Sequence, residues 1–265
     1  MLFSSLTFLY YFLPCVLLIY FLAPKKLKNA VLLVSSLVFY GWGEPKFLLI
    51  MLLSVLVNFA LGLLIEKFSD KPLSKLFMVL SAVFSLGLLA YFKYANFFIE
   101  NFSAVTKIPV SALNIALPIG ISFYTFQILS YTIDVYRKNV KAQKNIITLG
   151  AYIALFPQLI AGPIVRYSDV ERELNERTIS FEKVSYGIRR FILGLAKKVI
   201  LANTLGEFCS LFYAMESPPA LYAWVFAFSY MLQVYFDFSG YSDMAIGLGK
   251  ILGFNFMENF RYPFI

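Results

Sequence analysis

The 265-residue chain contains no histidine. That removes the commonest general base and proton relay at neutral pH. Charge is scarce as well: Asp, Glu, Lys and Arg make up 14% of the residues, too few to cover a soluble domain of this length. Only two cysteines are present, Cys15 and Cys209. Both lie in apolar runs and form no motif, so each is expected to be a buried free thiol. Nothing in the chain resembles a nucleophile elbow, a phosphate-binding glycine loop or a metal-ligand set, and Gly247-Leu248-Gly249 is too sparse for a nucleotide loop. There is no internal repeat and no low-complexity tract. The net charge of +8 lacks the clustering of a nucleic-acid module. No nucleic acid, no metal and no bound cofactor are therefore expected.

What is abundant is apolar surface. Sixty per cent of the residues are hydrophobic and the mean hydropathy is +0.74. Several unbroken apolar runs approach the roughly 20 residues that a helix needs to cross hydrocarbon, and a transmembrane barrel would alternate instead. The fold class expected is an all-α, multi-pass integral protein of the plasma membrane, one membrane domain over residues 1–265. The expected spans are Leu6 to Ala23, Leu27 to Trp42, Phe47 to Ile65, Leu76 to Ile99, Ile115 to Val135, Val199 to Met215 and Leu221 to Phe236. Asn101 to Asn114 reads as a mixed connector and Ser217-Pro218-Pro219 as a turn. The first run has no basic residue before it and no small-residue cleavage site, so it reads as a retained span.

The run Ile146 to Val165 is long enough to cross, yet basic loops flank it on both sides. Phe156-Pro157-Gln158 should break a helix near its middle, because proline lacks the amide donor and clashes with the preceding turn. Gly162-Pro163 should break it again. A re-entrant hairpin buried in protein accommodates both facts and is favoured over the alternative, an ordinary span with a proline kink. With seven spans, this one re-entrant element and the N-terminus outside, all but Lys46, Lys93 and Lys107 of the 23 Lys and Arg fall on the inner side, as the positive-inside bias favours. Arg166 to Lys183 reads as a solvated helix or loop, with Arg172/Glu176 and Glu173/Arg177 at i,i+4 spacing. Ile188 to Leu201, with Arg189, Arg190, Lys197 and Lys198, reads as a basic interfacial helix running into a span.

Polar groups at membrane depth are costly and tend to face a bundle interior or a watered cavity. Three sets stand out. Tyr124, Gln127, Tyr131 and Asp134 are spaced 3, 4 and 3, on one helical face. Gln158, Gly162 and Arg166 recur every fourth residue. In the last span and the stretch YFDFSGYSDM (235–244) that follows from it, Gln233, Asp237 and Tyr241 recur likewise, and Ser239 with Asp243 forms a second pair. For the first set, interhelical hydrogen bonding is the favoured role. For Asp237 to Asp243 a functional role is favoured, because two acids beside Gly240 suggest irregular backbone lining a cavity. The acids are six residues apart, which argues against paired-carboxylate catalysis.

Five stretches, taken in order, are VFYGWGEP (38–45), LPIGISFYTFQILSYTIDVYR (117–137), FPQLIAGPIVRY (156–167), GIRRFILGLAKKVILAN (187–203) and YFDFSGYSDMAIGLGKILGFNFMENFRYPF (235–264). Together they resemble the membrane-bound O-acyltransferase family, in particular its bacterial branch of alginate, peptidoglycan and teichoic-acid acylation proteins. The resemblance implies a multi-helix bundle with a narrow waist. It implies an acyl thioester donor or acyl-carrier protein on the cytoplasmic side. The acceptor it implies is a hydroxyl of an exported polymer, or a partner acyltransferase outside the membrane. It also implies a catalytic histidine shortly after the motif matching Phe254 to Phe264, beyond Ile265. The chain is accordingly expected to be an N-terminal fragment, inactive alone, with no catalytic residue of its own. Its Gln233, Asp237, Ser239, Tyr241 and Asp243, with Gln127, Tyr131, Asp134, Gln158 and Arg166, would wall or support the cavity. A transporter or flippase, or a structural membrane subunit that docks a soluble partner, is the alternative from residues alone.

Overall fold

The structure, a computed structural model, describes residues 2–108, 110–111, 113, 115–159, 162–163, 165–215 and 219–260. Among the described residues every regular element is helical. Ten α-helices follow one another: α1 (Leu13–Leu22), α2 (Lys28–Gly43), α3 (Leu48–Lys67), α4 (Pro72–Thr106), α5 (Ile121–Tyr136), α6 (Ile146–Ile153), α7 (Tyr167–Asn175), α8 (Phe181–Ala196), α9 (Asn203–Tyr213) and α10 (Ala220–Leu252). Two stretches among the described residues are helical, long and apolar enough to cross a bilayer, Pro45–Lys67 and Pro72–Thr106, and Phe8–Leu22 is a shorter apolar helix.

Local chemistry sets many of the boundaries. Pro14 cannot donate within its helix, and the turn before it, Phe8–Phe12, widens to π geometry, with the Leu13 amide bonded to the Phe8 carbonyl. Pro72 opens α4, where a missing amide costs nothing. The Asn145 side chain caps α6 by accepting from the Ile147 amide at 2.9 Å, and Ser180 caps α8 by accepting from the Lys183 amide at 3.2 Å. Gly253, at φ +89°, closes α10. There the Phe254 amide reaches the Gly249 carbonyl at 2.8 Å and the Gly253 amide reaches the Lys250 carbonyl at 3.2 Å, the paired bonds of a left-handed helix stop.

Several expectations are corrected. α4 continues into the expected connector as far as Thr106, and the rest of the connector folds back on it: Asn96 accepts from the Leu113 amide at 2.8 Å and donates to its carbonyl at 2.9 Å. Pro109, Ala112 and Asn114 of that connector lie outside the described residues. The fifth helix starts at Ile121, not Ile115, because Pro118 and the left-handed Gly120 (φ +77°) precede it. Cys15 is exposed, on the outward face of α1, whereas Cys209 is buried. Ser217 and Pro218 of the expected turn lie outside the described residues.

The chain divides into two compact units. One is formed by Met1–Leu22, Ala161–Val165 and Arg172–Ile265, the other by Ala23–Ile160 and Arg166–Glu171.

In the second of these, α3, α4 and α5 pack through small and polar residues, as membrane helices do when close approach and hydrogen bonds replace a hydrophobic drive. Asn58 is fully buried. It donates to the Ser54 carbonyl (2.9 Å) and to Ser85 Oγ (3.3 Å), and accepts from Ser81 Oγ (2.6 Å). Ser81 Oγ also lies 3.2 Å from Thr132 Oγ1 on α5. α6 runs beside α2: Asn29 donates to Thr148 (3.0 Å), and the Phe156 amide donates to Ser36 (3.1 Å). The helix ends at Ile153, ahead of Pro157, as expected, and Tyr152 through Phe156 are all but fully enclosed.

In the other unit α10 is the hub, packed against α8, α9 and the π-helical segment Lys197–Ala202 that joins them. Tyr20 donates to the Leu252 carbonyl and accepts from Arg177 at 3.1 Å. The Arg177 guanidinium lies 4.7 Å from the centre of the Phe254 ring. Arg177 is thus turned inward, and among the described residues no ion pair joins it to Glu173 or Arg172 to Glu176. The turn itself persists, with the Glu176 amide on the Arg172 carbonyl at 2.7 Å, but Arg177 Nε donates to the Glu173 carbonyl at 2.7 Å while the Glu173 carboxylate accepts from Asn255 at 2.8 Å.

Candidate functional site

The YFDFSGYSDM stretch lies inside an uninterrupted helix. α10 runs straight through Gly240, which corrects the expected break in the backbone. The glycine serves packing instead. A β-carbon on Gly194 of α8 would stand 2.5 Å from the Gly240 carbonyl oxygen, and one on Gly187 would stand 2.6 Å from that of Gly247. On each helix the two contacting glycines are seven residues apart, so α8 and α10 touch backbone to backbone at two successive levels.

That closeness brings the cations of α8 over the carboxylates of α10. Arg190 Nε donates to Asp243 Oδ1 at 2.8 Å, and Lys197 Nζ donates to Asp243 Oδ2 at 2.6 Å. Arg190 also reaches Glu258 Oε2 at 2.6 Å. Lys198 pairs with Asp237 Oδ1 at 2.6 Å. The Asp243 side chain is 9% exposed and that of Asp237 is 42% exposed. Asp243 therefore spends both oxygens on cations in a nearly closed setting, while Asp237 spends one in a more open one. The neighbouring Lys197 and Lys198 both open the π-helical segment. Its wider turn sets successive side chains at a smaller angle than an α-helix does, which lets both reach α10. Three of the four cations expected on a membrane-surface helix are thus bound to carboxylates, a pairing of groups more than thirty residues apart in sequence.

A groove of about 520 Å³ opens beside this network. Arg190, Lys197 and Asp243 form its polar end, and Leu193, Ala196, Ile200 and Leu201 form its apolar walls. Such a site can hold a molecule with an acidic or carbonyl head and an apolar stem.

The other sequence candidates in this unit sit on α10 as spaced. Gln233 packs at Gly206 of α9. Ser239 is buried, its hydroxyl without a partner among the described residues. Tyr241 stacks on Phe3, ring centres 4.5 Å apart, with its hydroxyl enclosed and unpartnered.

The remaining candidates belong to the other unit. Tyr124, Gln127 and Tyr131 are buried on α5. Tyr131 accepts from the Gln143 amide at 3.0 Å, and Asp134 Oδ1 accepts from Asn139 at 3.2 Å. Tyr124 Oη, Gln127 Oε1, Asp134 Oδ2 and Gln158 Oε1 are enclosed without a hydrogen-bond partner among the described residues. Gln158 and Arg166 do not share a helical face, because the helix has ended at Ile153. Gln158 is fully buried, donating to the Tyr152 carbonyl at 2.8 Å, whereas Arg166 is exposed. Nearby, outside the expected spans, burial pushes the Tyr167 phenol up to about 12, and burial likewise raises the Glu171 carboxyl.

Reasoning from sequence missed Arg190, Lys197, Lys198 and Glu258 as partners of the acids. The available signal was the matched seven-residue glycine spacing, 187/194 and 240/247, with an arginine and an aspartate three residues after the first glycine of each pair.

The sequence matches the membrane-bound O-acyltransferase family over residues 36–264. It is 43% identical over 270 residues to the probable alginate O-acetylase AlgI of Pseudomonas aeruginosa, covering all of this chain and 52% of that protein. It is 31% identical over 297 residues to the peptidoglycan O-acetyltransferase of Helicobacter pylori, covering all of this chain and 56% of that protein. To the teichoic acid D-alanyltransferase of Bacillus subtilis it is 27% identical over 158 residues, 56% of this chain and 38% of the relative. The chain spans about half the length of the first two. With the family matched over most of its length, and with the all-helical, apolar build that such a family requires, the chain belongs to the membrane-bound O-acyltransferases.

Proposed function

We propose that the complete protein is an O-acyltransferase of the bacterial cell membrane. It moves an acyl group, acetyl by likeness to the O-acetylases, from a cytoplasmic thioester donor to a hydroxyl of an exported polysaccharide or other envelope polymer, directly or through an acyltransferase partner outside. The observation that carries this reading is the 43% identity to an alginate O-acetylase over the whole of this chain. In the reaction the acceptor oxygen attacks the thioester carbonyl, the C–S bond breaks, and the hydroxyl proton ends on the departing thiol. A general base must hold that proton in between. None of the 265 residues is histidine, and the resemblance puts that base beyond Ile265, so the chain by itself is proposed not to turn over.

Asp237 is the acid proposed to support that base. It keeps a more open carboxylate than Asp243, and a carboxylate beside an imidazole orients the ring and favours its charged form. In membranes carrying the complete protein, ester-bound acetate on the polymer is expected to fall in Asp237→Ala while expression stays constant. Wild-type acetylation by that variant overturns the role of Asp237. Failure of the reconstituted wild-type protein to transfer acetyl from any thioester donor overturns the reaction.

The proposed topology has the N-terminus outside, seven spans and a re-entrant 146–165 segment. The eight-residue length of α6 and the burial of residues 154–159 after it support this reading. A membrane-impermeant maleimide should label a cysteine placed at Lys46 in intact cells, and one placed at Lys144 only after permeabilisation.

A further inference from the structure

We propose that the apolar groove between α2, α3 and α6 seats one acyl chain of an anionic glycerophospholipid, whose phosphate rests on Lys25, Lys26 and Lys144. The groove encloses about 480 Å³, and every lining side chain is apolar, among them Leu33, Leu37, Leu52, Leu56, Ile147 and Ala154. Gly150 forms part of its wall, where a β-carbon would stand 3.2 Å from Leu33, so the missing side chain helps to keep the groove open. Along α6 the lining runs from Ile146 to Ala154, about 12 Å by helical rise. Leu52, Leu53 and Leu56 stay 36–55% exposed, so a chain can enter from the side.

The two ends of the groove differ in charge. Asn29, in the first turn of α2, donates to Thr148 in the first turn of α6 at 3.0 Å, so both helices start at the same end. Lys25 and Lys26 immediately precede α2, and Lys144 precedes the Asn145 cap of α6. All three lysines are exposed, and among the described residues none has an ion-pair partner. Lys144 stands two residues before Ile146, where the apolar lining of α6 begins, and Lys25 and Lys26 stand at the same end of α2, ahead of the lining residue Leu33. Basic residues at a membrane surface attract anionic headgroups, and an apolar slot beneath them fits the attached chain. A partner helix could use the slot too, but an apolar helix would leave the three cations unpaired, whereas a lipid phosphate would neutralise them.

The test is native mass spectrometry of the purified chain released from nanodiscs made of equal parts phosphatidylglycerol and phosphatidylcholine. It is paired with photocrosslinking by a phosphatidylglycerol that carries a diazirine in one acyl chain. One phosphatidylglycerol is expected to be retained in preference to phosphatidylcholine, with crosslinks on 33–37, 52–56 and 147–154. The Lys25→Gln/Lys26→Gln/Lys144→Gln variant, changed only at exposed sites, should lose the preference by about tenfold or more. Leu56→Trp, which fills the slot from its exposed side, should lower retention of both lipids. Equal retention of the two lipids by the wild type, an unchanged preference in the triple variant, or crosslinks elsewhere overturns the proposal. So does copurification of a second protein chain crosslinked at Leu56.

Discussion

Gly194 and Gly240 meet so closely that neither position has room for a β-carbon: one on Gly194 would stand 2.5 Å from the Gly240 carbonyl oxygen, and one on Gly240 2.8 Å from the Gly194 carbonyl oxygen. The obstacle on each side is backbone, which cannot swing aside. Gly194→Ala should therefore force α8 and α10 apart and cost about 2–3 kcal/mol, the upper range for overpacking. Gly87 on α4 provides the control, because a β-carbon there meets nothing within 4 Å. Gly87→Ala should stabilise its helix by about 0.5–1 kcal/mol. Thermal unfolding of the two purified variants in one detergent checks both, and equal shifts would sink the argument.

The two acids of α10 should respond differently to neutralisation. Asp243→Asn removes the shared partner of Arg190 and Lys197 in a setting where Asp243 is 9% exposed. Lys197 loses its carboxylate and Arg190 keeps only Glu258, at side chains 35% and 24% exposed, so the cost should be about 2 kcal/mol, less than for a fully buried pair. Asp237→Asn loses one ion pair at a 42% exposed carboxylate and should cost no more than about 1 kcal/mol. Melting temperatures of the two variants, read beside their acyl transfer in the complete protein, separate a structural acid from a working one.

Asn58 ties α3 to α4 through Ser81 and Ser85. Asn58→Ala should lower stability by about 1–2 kcal/mol, the range for hydrogen bonds between membrane helices. Because Ser81 and Asn58 bond one another, the double variant Asn58→Ala/Ser81→Ala should cost less than the sum of the singles. Full additivity in chemical denaturation would show that the bond adds nothing.

Arg177→Lys keeps the charge but gives up the planar group that lies over Phe254 while bonding Tyr20. A loss of about 1 kcal/mol is expected. A Tyr20→Phe variant should narrow the difference between Arg and Lys at position 177, and unfolding of the four combinations measures that coupling.

Much of the fold was legible because its causes are local. Apolar runs set the helices, Pro157 and Gly162-Pro163 marked where the 146–165 run fails as one helix, and the spacing of Tyr124, Gln127 and Tyr131 put them on one buried face of α5. What was not legible depended on partners distant in sequence. Asp237 and Asp243 stood out as acids, but their cations lie 39 to 53 residues earlier in the sequence, and only the glycine contacts determine which cation meets which acid. Gly240 was misread for the same reason: a glycine in a helix signals either a break or a close neighbour, and the neighbour was not visible. α4 outran its expected end because Asn96, Glu100 and Asn101 lower hydropathy without stopping a helix.

The π-helical turn at Lys197–Ala202 holds one residue more than an α-helix needs for the same rotation, because each residue of the wider turn advances by less than about 100°. Deleting a single residue there would restore ordinary helical geometry and leave α9 nearly in phase, with Gly206 still at Gln233 and Cys209 still facing inward. What the deletion would remove is the narrow angle between Lys197 and Lys198 that lets both reach carboxylates of α10. The extra residue therefore serves the ion pairs and not the path of the chain.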